Sequence, residues 1–235
     1  MTTRIEELQK HLELLDQRIA AACQDSDRDP ESITKIIVTK TWPITDVESL
    51  YSLGVRNFGE NRDQEGKEKA AGFSPDDLVW HFIGQLQRKK ANSVASYADF
   101  VHSVDRPELV AALNRGAGRA GRRLGCFVQV SLAKAGDDAQ GRGGADLALA
   151  LDICGLLREA EHLDLVGLMA VAPLGELPAE AFARLVDLRS TIVEEFPEAA
   201  YLSAGMSADL EDAIAAGATH VRVGGAVLGE RNYVR

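Results

Sequence analysis

A handful of residues in this chain stand where strands would end and carry side chains able to do chemistry. Lys40 closes the run T-K-I-I-V-T-K (34–40), whose alternation puts it on the face of Ile36 and Val38. If that face is inward, the ammonium sits at the mouth of a packed core, where desolvation favours the neutral amine. Such an amine attacks a carbonyl carbon and forms a Schiff base. The competing reading is a lysine that emerges from its strand into water. Far along the chain, S-A-G-M-S (203–207) and V-G-G (223–225) supply serines and glycines that let backbone N–H groups approach an anion. Ser207 is expected to cap the following helix, with Asp209 and Glu211 in its first turn. Alone, Gly224 and Gly225 would suit a tight turn equally well. Arg222 lies between these loops, on the face of His220 and Gly224. Once buried it needs an acceptor, either a carboxylate or a ligand's ring nitrogen or phosphate.

The elements that must position these residues form a rhythm. Eight β-rich runs are predicted at 34–40, 55–60, 78–84, 99–104, 125–132, 165–171, 200–205 and 220–225. Helical stretches with apolar residues three or four apart fall between them, at 45–53, 62–71, 85–97, 107–117, 145–160, 178–196 and 208–216. Alternation of this kind marks a parallel α/β fold, and eight units over residues 34–225 suit a closed (β/α)8 TIM barrel better than an open sheet. An amphipathic helix over 1–24 precedes the barrel. No linker or low-complexity run interrupts it, so 1–235 is expected to form a single domain. In a barrel the strand ends share one rim, which gathers Lys40, Asn61, Ser203, Met206, Ser207, Arg222, Gly224 and Gly225. An aldehyde bearing a phosphate would satisfy the amine, the guanidinium and the anion cradle together, and pyridoxal 5′-phosphate is the obvious cofactor of that type.

Composition narrows the classes further. The 235 residues are 46% apolar and 26% charged, which excludes wholesale disorder. With 26 basic and 36 acidic residues the net charge is −10, a poor match for nucleic acid or an anionic membrane surface. Cys23, Cys126 and Cys154 make neither a disulfide framework nor a metal knuckle, and the first residues lack an apolar signal core. A soluble, cytoplasmic protein is expected. His11, His102, His162 and His220 show no metal-ligand spacing, and His81, inside an apolar strand, reads as a core residue. Arg88, Lys89 and Lys90 read as a solvated face. Arg115, Arg119, Arg122 and Arg123 fall at the opposite rim and define no site.

Over almost its whole length the chain resembles the YggS/PROSC family of pyridoxal-phosphate-binding, or PLP homeostasis, proteins. The motifs are V-T-K-T (38–41), F-G-E-N (58–61) with Q-E-G (64–66), W-H-F-I-G-Q-L-Q (80–87), G-L-M-A (167–170), S-A-G-M-S-A-D (203–209) and R-V-G-G-A-V-L-G-E-R-N-Y (222–233). The resemblance implies the barrel of the alanine racemase N-terminal domain, with Lys40 carrying the cofactor as an internal aldimine and Asn61 close by. It implies Ser203, Met206, Ser207, Gly224 and Gly225 on the phosphate side and Arg222 near the pyridine nitrogen. An arginine can only donate there, which leaves the ring unprotonated and a weak electron sink. Departures from the pattern are Gly225, where the family usually has a hydroxyl residue, Arg142, where it has a lysine, and Lys89 in place of an asparagine.

The leading expectation is a PLP carrier with little or no turnover, monomeric, that supplies apo-enzymes. The sequence ends ten residues after Gly225, so no second domain is expected to offer an opposing base. Tyr233 is a substitute or, more simply, a packing anchor. The alternatives are an amino-acid racemase, a cofactor-free Schiff-base lyase acting through Lys40, and an interaction module built on the first helix.

Overall fold

Thr3 opens the molecule by capping a helix. Its hydroxyl accepts the Glu6 N–H while the Glu6 carboxylate accepts the Thr3 N–H, a reciprocal box that starts α1 (Arg4–Asp25). Leu8, Leu12, Leu15, Ile19, Ala22 and Cys23 repeat at helical spacing and are buried, each leucine contributing about 1.5–3 kcal/mol by leaving water. In this computed structural model, residues 3–133 and 143–229 are described.

Eight parallel strands close into a barrel in chain order: β1 (Thr34–Val38), β2 (Asn57–Glu60), β3 (Val79–Phe82), β4 (Phe100–Val104), β5 (Leu124–Gln129), β6 (Leu163–Met169), β7 (Tyr201–Ser203) and β8 (His220–Val223). The helices between them are α2 (Ile44–Ser52), α3 (Asp63–Gly72), α4 (Ala91–Val94), α5 (Pro107–Ala120), α6 (Leu147–Arg158), α7 (Pro178–Glu195) and α8 (Leu210–Ala215). A single turn, α9 (Gly225–Leu228), follows β8. The fold class is the one the alternation predicts. The stretch 85–97 is the exception: it forms a 3-10 turn at Arg88–Lys90 and only the short α4. Strands are also shorter than their β-rich runs, because pairing ends where the chain peels off into each loop. Lys40 therefore stands in a turn two residues beyond β1 rather than on the strand itself.

Closure turns one face of every strand into a common interior. His81 of β3 and His102 of β4 each reach His220 of β8 with ring centroids 6.5 Å apart, across the barrel rather than between neighbours. Phe127 of β5 packs on the same His220 at 5.2 Å. The other face of each strand, with Ile37, Phe58, Trp80, Val101, Val128, Leu168, Val221 and Val223, meets the helices as the larger core.

The leading helix is not a detached module. Its apolar stripe is covered, and its polar groups grip the rim after β7 and β8. Arg18 donates to the Ser207 carbonyl at 3.0 Å and pairs with Glu211 at 2.7 Å. His11 meets the Val227 carbonyl at 2.8 Å, and Arg4 bridges the Leu228 carbonyl at 3.1 Å and Asp46 at 3.0 Å.

Candidate functional site

Strand order alone brings the expected residues to one rim. β1 pairs with both β2 and β8, with Val38 opposite Gly59 and Ile37 opposite Val223. Lys40, Asn61 and the Gly224–Gly225 turn thus leave the barrel side by side. A side chain at Gly224 would place its Cβ 3.2 Å from the Val38 carbonyl, so glycine is what lets the end of β8 press against the end of β1.

The turn that presents Lys40 is clamped from both sides. Thr39 is fully buried, and its hydroxyl donates to Glu60 Oε1 at 2.7 Å. Thr41, at φ 65°, adopts a left-handed conformation unusual outside glycine, and its N–H donates to Glu65 Oε1. Both carboxylates converge on Lys69, whose ammonium donates to Glu60 at 2.7 Å, to Glu65 at 2.8 Å and to the Thr39 carbonyl at 2.8 Å. Burial raises Glu60 above the usual carboxylate range, against the opposing pull of Lys69 and Thr39. No motif of the sequence marks Lys69. Its one signal is the i,i+4 spacing from Glu65 on α3. Lys40 itself is half-buried.

Asn61 sits just past β2, with Oδ1 buried and without a hydrogen-bond partner among the described residues. Gly84 makes room for it: a Cβ there would fall 2.1 Å from the Asn61 carbonyl. An orphaned buried acceptor beside the lysine turn is a place for a ligand donor.

On β8, the strand that pairs with β1, Arg222 points inward and is 5% exposed. It donates to Ser203 Oγ at 2.7 Å and to the Ala170 carbonyl at 2.9 Å. Among the described residues no carboxylate lies within ion-pair distance of it. Burial lowers its pKa to about 10, which still leaves it cationic at neutral pH. Ser203 is placed differently from the expectation of a phosphate-side hydroxyl. It lies fully buried in β7, and its oxygen is engaged by Arg222 and by His102 Nδ1 at 2.9 Å. Any contribution it makes to the site passes through the guanidinium.

The loops after β7 and β8 are joined by Ser207, whose hydroxyl accepts the Ala226 N–H at 3.4 Å. Its expected role as a helix cap is not observed, because α8 starts at Leu210 with Asp209 as the preceding cap position. Asp209 instead turns back, its carboxylate accepting the Met206 N–H at 2.6 Å. Met206 is exposed on the rim. Gly225 begins α9, where the first N–H groups have no acceptor within the helix, and a side chain at that residue would meet open space. Arg142 and Tyr233 lie outside the described residues. No group of three or more potential metal ligands occurs among the described residues.

A guanidinium on which only the more distant Asp209 carboxylate acts, an orphaned amide acceptor and an open glycine turn stand near the strand ends where Lys40 emerges. Together they offer donors and an acceptor to an anionic ligand. The comparisons with known proteins point the same way. The sequence profile of the alanine racemase N-terminal domain matches residues 38–232. A solved alanine racemase from Clostridium difficile 630 shares the fold at TM-score 0.74 and 18% identity, covering 97% of this chain and 58% of the racemase. Much nearer are proteins named pyridoxal phosphate homeostasis protein. The one from Mycobacterium tuberculosis H37Rv is 42% identical over 97% of this chain and 94% of its own length; that of Corynebacterium glutamicum is 40% identical over 91% and 97%. PipY of Synechococcus elongatus PCC7942, solved without PLP and with PLP bound, is 34% identical, covers 91% of this chain and 99% of its own, and superposes at TM-scores 0.79 and 0.77. The chain belongs to the pyridoxal phosphate homeostasis protein family.

Proposed function

We infer that this protein holds pyridoxal 5′-phosphate covalently on Lys40 and acts as its carrier, with little or no turnover of amino acids. When bound, the cofactor supplies an aldehyde that condenses reversibly with a primary amine. The observation that carries the reading is Arg222, a buried cation that among the described residues is held by a hydroxyl and a carbonyl, near where Lys40 emerges.

Each residue then has a task. Lys40 provides the amine, on a turn that the Lys69 cluster keeps from relaxing. Arg222 donates toward the ring nitrogen, and being a donor only, it leaves that nitrogen unprotonated. An unprotonated ring is a weak electron sink, which suits holding and releasing the cofactor better than sustained carbanion chemistry. Asn61 Oδ1 offers an acceptor beside the lysine. Met206, Ser207, Gly224 and Gly225 frame the phosphate side, where the exposed N–H of Gly225 favours an anion. Release to apo-enzymes completes the carrier role. A monomer in the cytoplasm suits this role, in keeping with the free thiols of Cys23, Cys126 and Cys154. No helix among the described residues is long and apolar enough to cross a membrane.

The test is the visible spectrum of purified protein with added PLP, before and after borohydride, followed by peptide mapping. A reduced pyridoxyl group on Lys40 is the expected result. A label on another lysine, or colourless protein that stays colourless, would refute the assignment.

A further inference from the structure

We propose that His102 and His81, acting through Ser203, are positioning residues for Arg222: a one-way chain of neutral groups that aims the guanidinium at the mouth without cancelling its charge. The proposal rests on the reading that Arg222 faces the cofactor, and extends it to residues buried below the site.

The chain is continuous. From Arg222 Nη1 it runs to Ser203 Oγ (2.7 Å), His102 Nδ1 (2.9 Å), then from His102 Nε2 to His81 Nδ1 (2.9 Å), and from His81 Nε2 to Asn57 Oδ1 (3.0 Å). It crosses from β8 through β7, β4 and β3 to the first residue of β2. Its direction follows from the far end. Asn57 Oδ1 can only accept, so His81 carries its proton on Nε2 and, as a neutral ring, leaves Nδ1 bare. His102 therefore donates from Nε2 to His81 Nδ1, and its own bare Nδ1 accepts the hydroxyl proton of Ser203. Ser203 in turn accepts from Arg222, which only donates. Ser203, His102 and His81 each use one donor and one acceptor along the chain.

Neutrality is enforced by burial. It lowers the His81 pKa to about 3, helped by His220, and holds His102 well below the ordinary histidine value, helped by His81, Arg222 and His220. His220, at the same depth, is lowered to about 4 by burial and by Arg222, and its Nδ1 meets Thr219 Oγ1 at 2.8 Å. Neutral imidazoles can hold a cation in place by hydrogen bonds polarised along the chain, but they supply no counter-charge. The chain therefore adds no negative charge of its own to that of Asp209, whose carboxylate acts on Arg222 at longer range.

The experiment has two arms. Imidazole nitrogen NMR of the cofactor-free wild-type protein should find His102 and His81 both neutral and both protonated on Nε2 from pH 7 down to pH 5. A proton on Nδ1 of His102, or titration of either ring near pH 6.5, would overturn the chain. The second arm measures PLP affinity and absorbance. His102→Leu should weaken binding by about tenfold, the equivalent of one net hydrogen bond, and shift the absorbance band, while borohydride still labels Lys40. His102→Asn, whose amide oxygen can still accept from Ser203, should stay within about threefold of wild type. A folded His102→Leu with wild-type affinity and spectrum would refute the positioning role. If wild-type protein fails to take up PLP, the functional reading falls, and the NMR arm still decides whether the chain exists.

Discussion

Two buried cations, Lys69 beside the end of β1 and Arg222 on the neighbouring β8, are treated in opposite ways. Lys69 has two carboxylates and a carbonyl within 2.8 Å. Arg222 has a hydroxyl, a carbonyl and no carboxylate within ion-pair distance among the described residues. The charge of Lys69 is consumed inside the protein, where it fastens the turn on either side of Lys40. The charge of Arg222 feels a carboxylate only at longer range, that of Asp209, and its remaining desolvation cost is one that a bound anion or a basic ring nitrogen would offset. A buried ion thus reads as structural or functional according to what balances it, rather than by how deep it lies.

The largest expected effect separates these cations from the amine of Lys40. Lys40→Ala should abolish the borohydride-trapped adduct while leaving the fold intact by circular dichroism; residual label at another lysine would break the contrast. Next in size, Lys69→Met leaves the buried Glu60 and the half-buried Glu65 without their cation. Removing one partner of a buried pair costs about 3–5 kcal/mol, and urea denaturation should show a loss of that order together with slower labelling of Lys40. A stability change under about 1 kcal/mol would mean that Lys69 is not the fastener described.

Acidification probes the surroundings of the other cation. The folded-state pKa values of His220 and His81 lie below the unfolded value of 6.5, at about 4 and about 3. Below pH 6.5 the unfolded chain takes up protons that the folded barrel refuses. The stability held above that pH is therefore lost as pH falls toward 4, by roughly 3 kcal/mol for His220 alone. Denaturation midpoints flat between pH 7 and 5 would contradict neutral histidines around Arg222. Arg222→Leu should weaken PLP binding by roughly 10- to 100-fold, the range for a hydrogen bond from a charged group, yet destabilise the cofactor-free protein less than Lys69→Met does. Equal losses of stability in the two variants would erase the distinction between the cations.

The smallest effect concerns the turn after β8. Open space at Gly225 admits a hydroxymethyl group, and Gly225→Ser should tighten PLP by up to about tenfold through one added hydrogen bond to the phosphate. Unchanged or weaker affinity by spectroscopic titration would place the phosphate elsewhere.

The first helix offers a second lesson about context. Its amphipathic pattern is the same whether it packs on its own barrel or on a partner. Only the bonds from Arg4, His11 and Arg18 to the rim decide that it braces the loops after β7 and β8. The expected cap at Ser207 failed for a related reason: Asp209 binds the Met206 N–H, delays α8 and leaves Ser207 to tie the two loops together.

Local periodicity was enough to establish eight strand–helix units, and so the barrel, because alternation and helical spacing are properties of neighbouring residues. The rim residues followed, since chemistry in a parallel barrel collects where strands end. Neither Lys69 under the lysine turn nor the line from Arg222 to Asn57 was visible in the same way. Asn57, His81, His102, Ser203 and Arg222 come from five strands, and in the chain His102 and Ser203 are 101 residues apart. No spacing rule joins them. Closing the sheet turns five inward faces toward one axis, and it is that closure, burying each polar group against the next, that makes them a single chain.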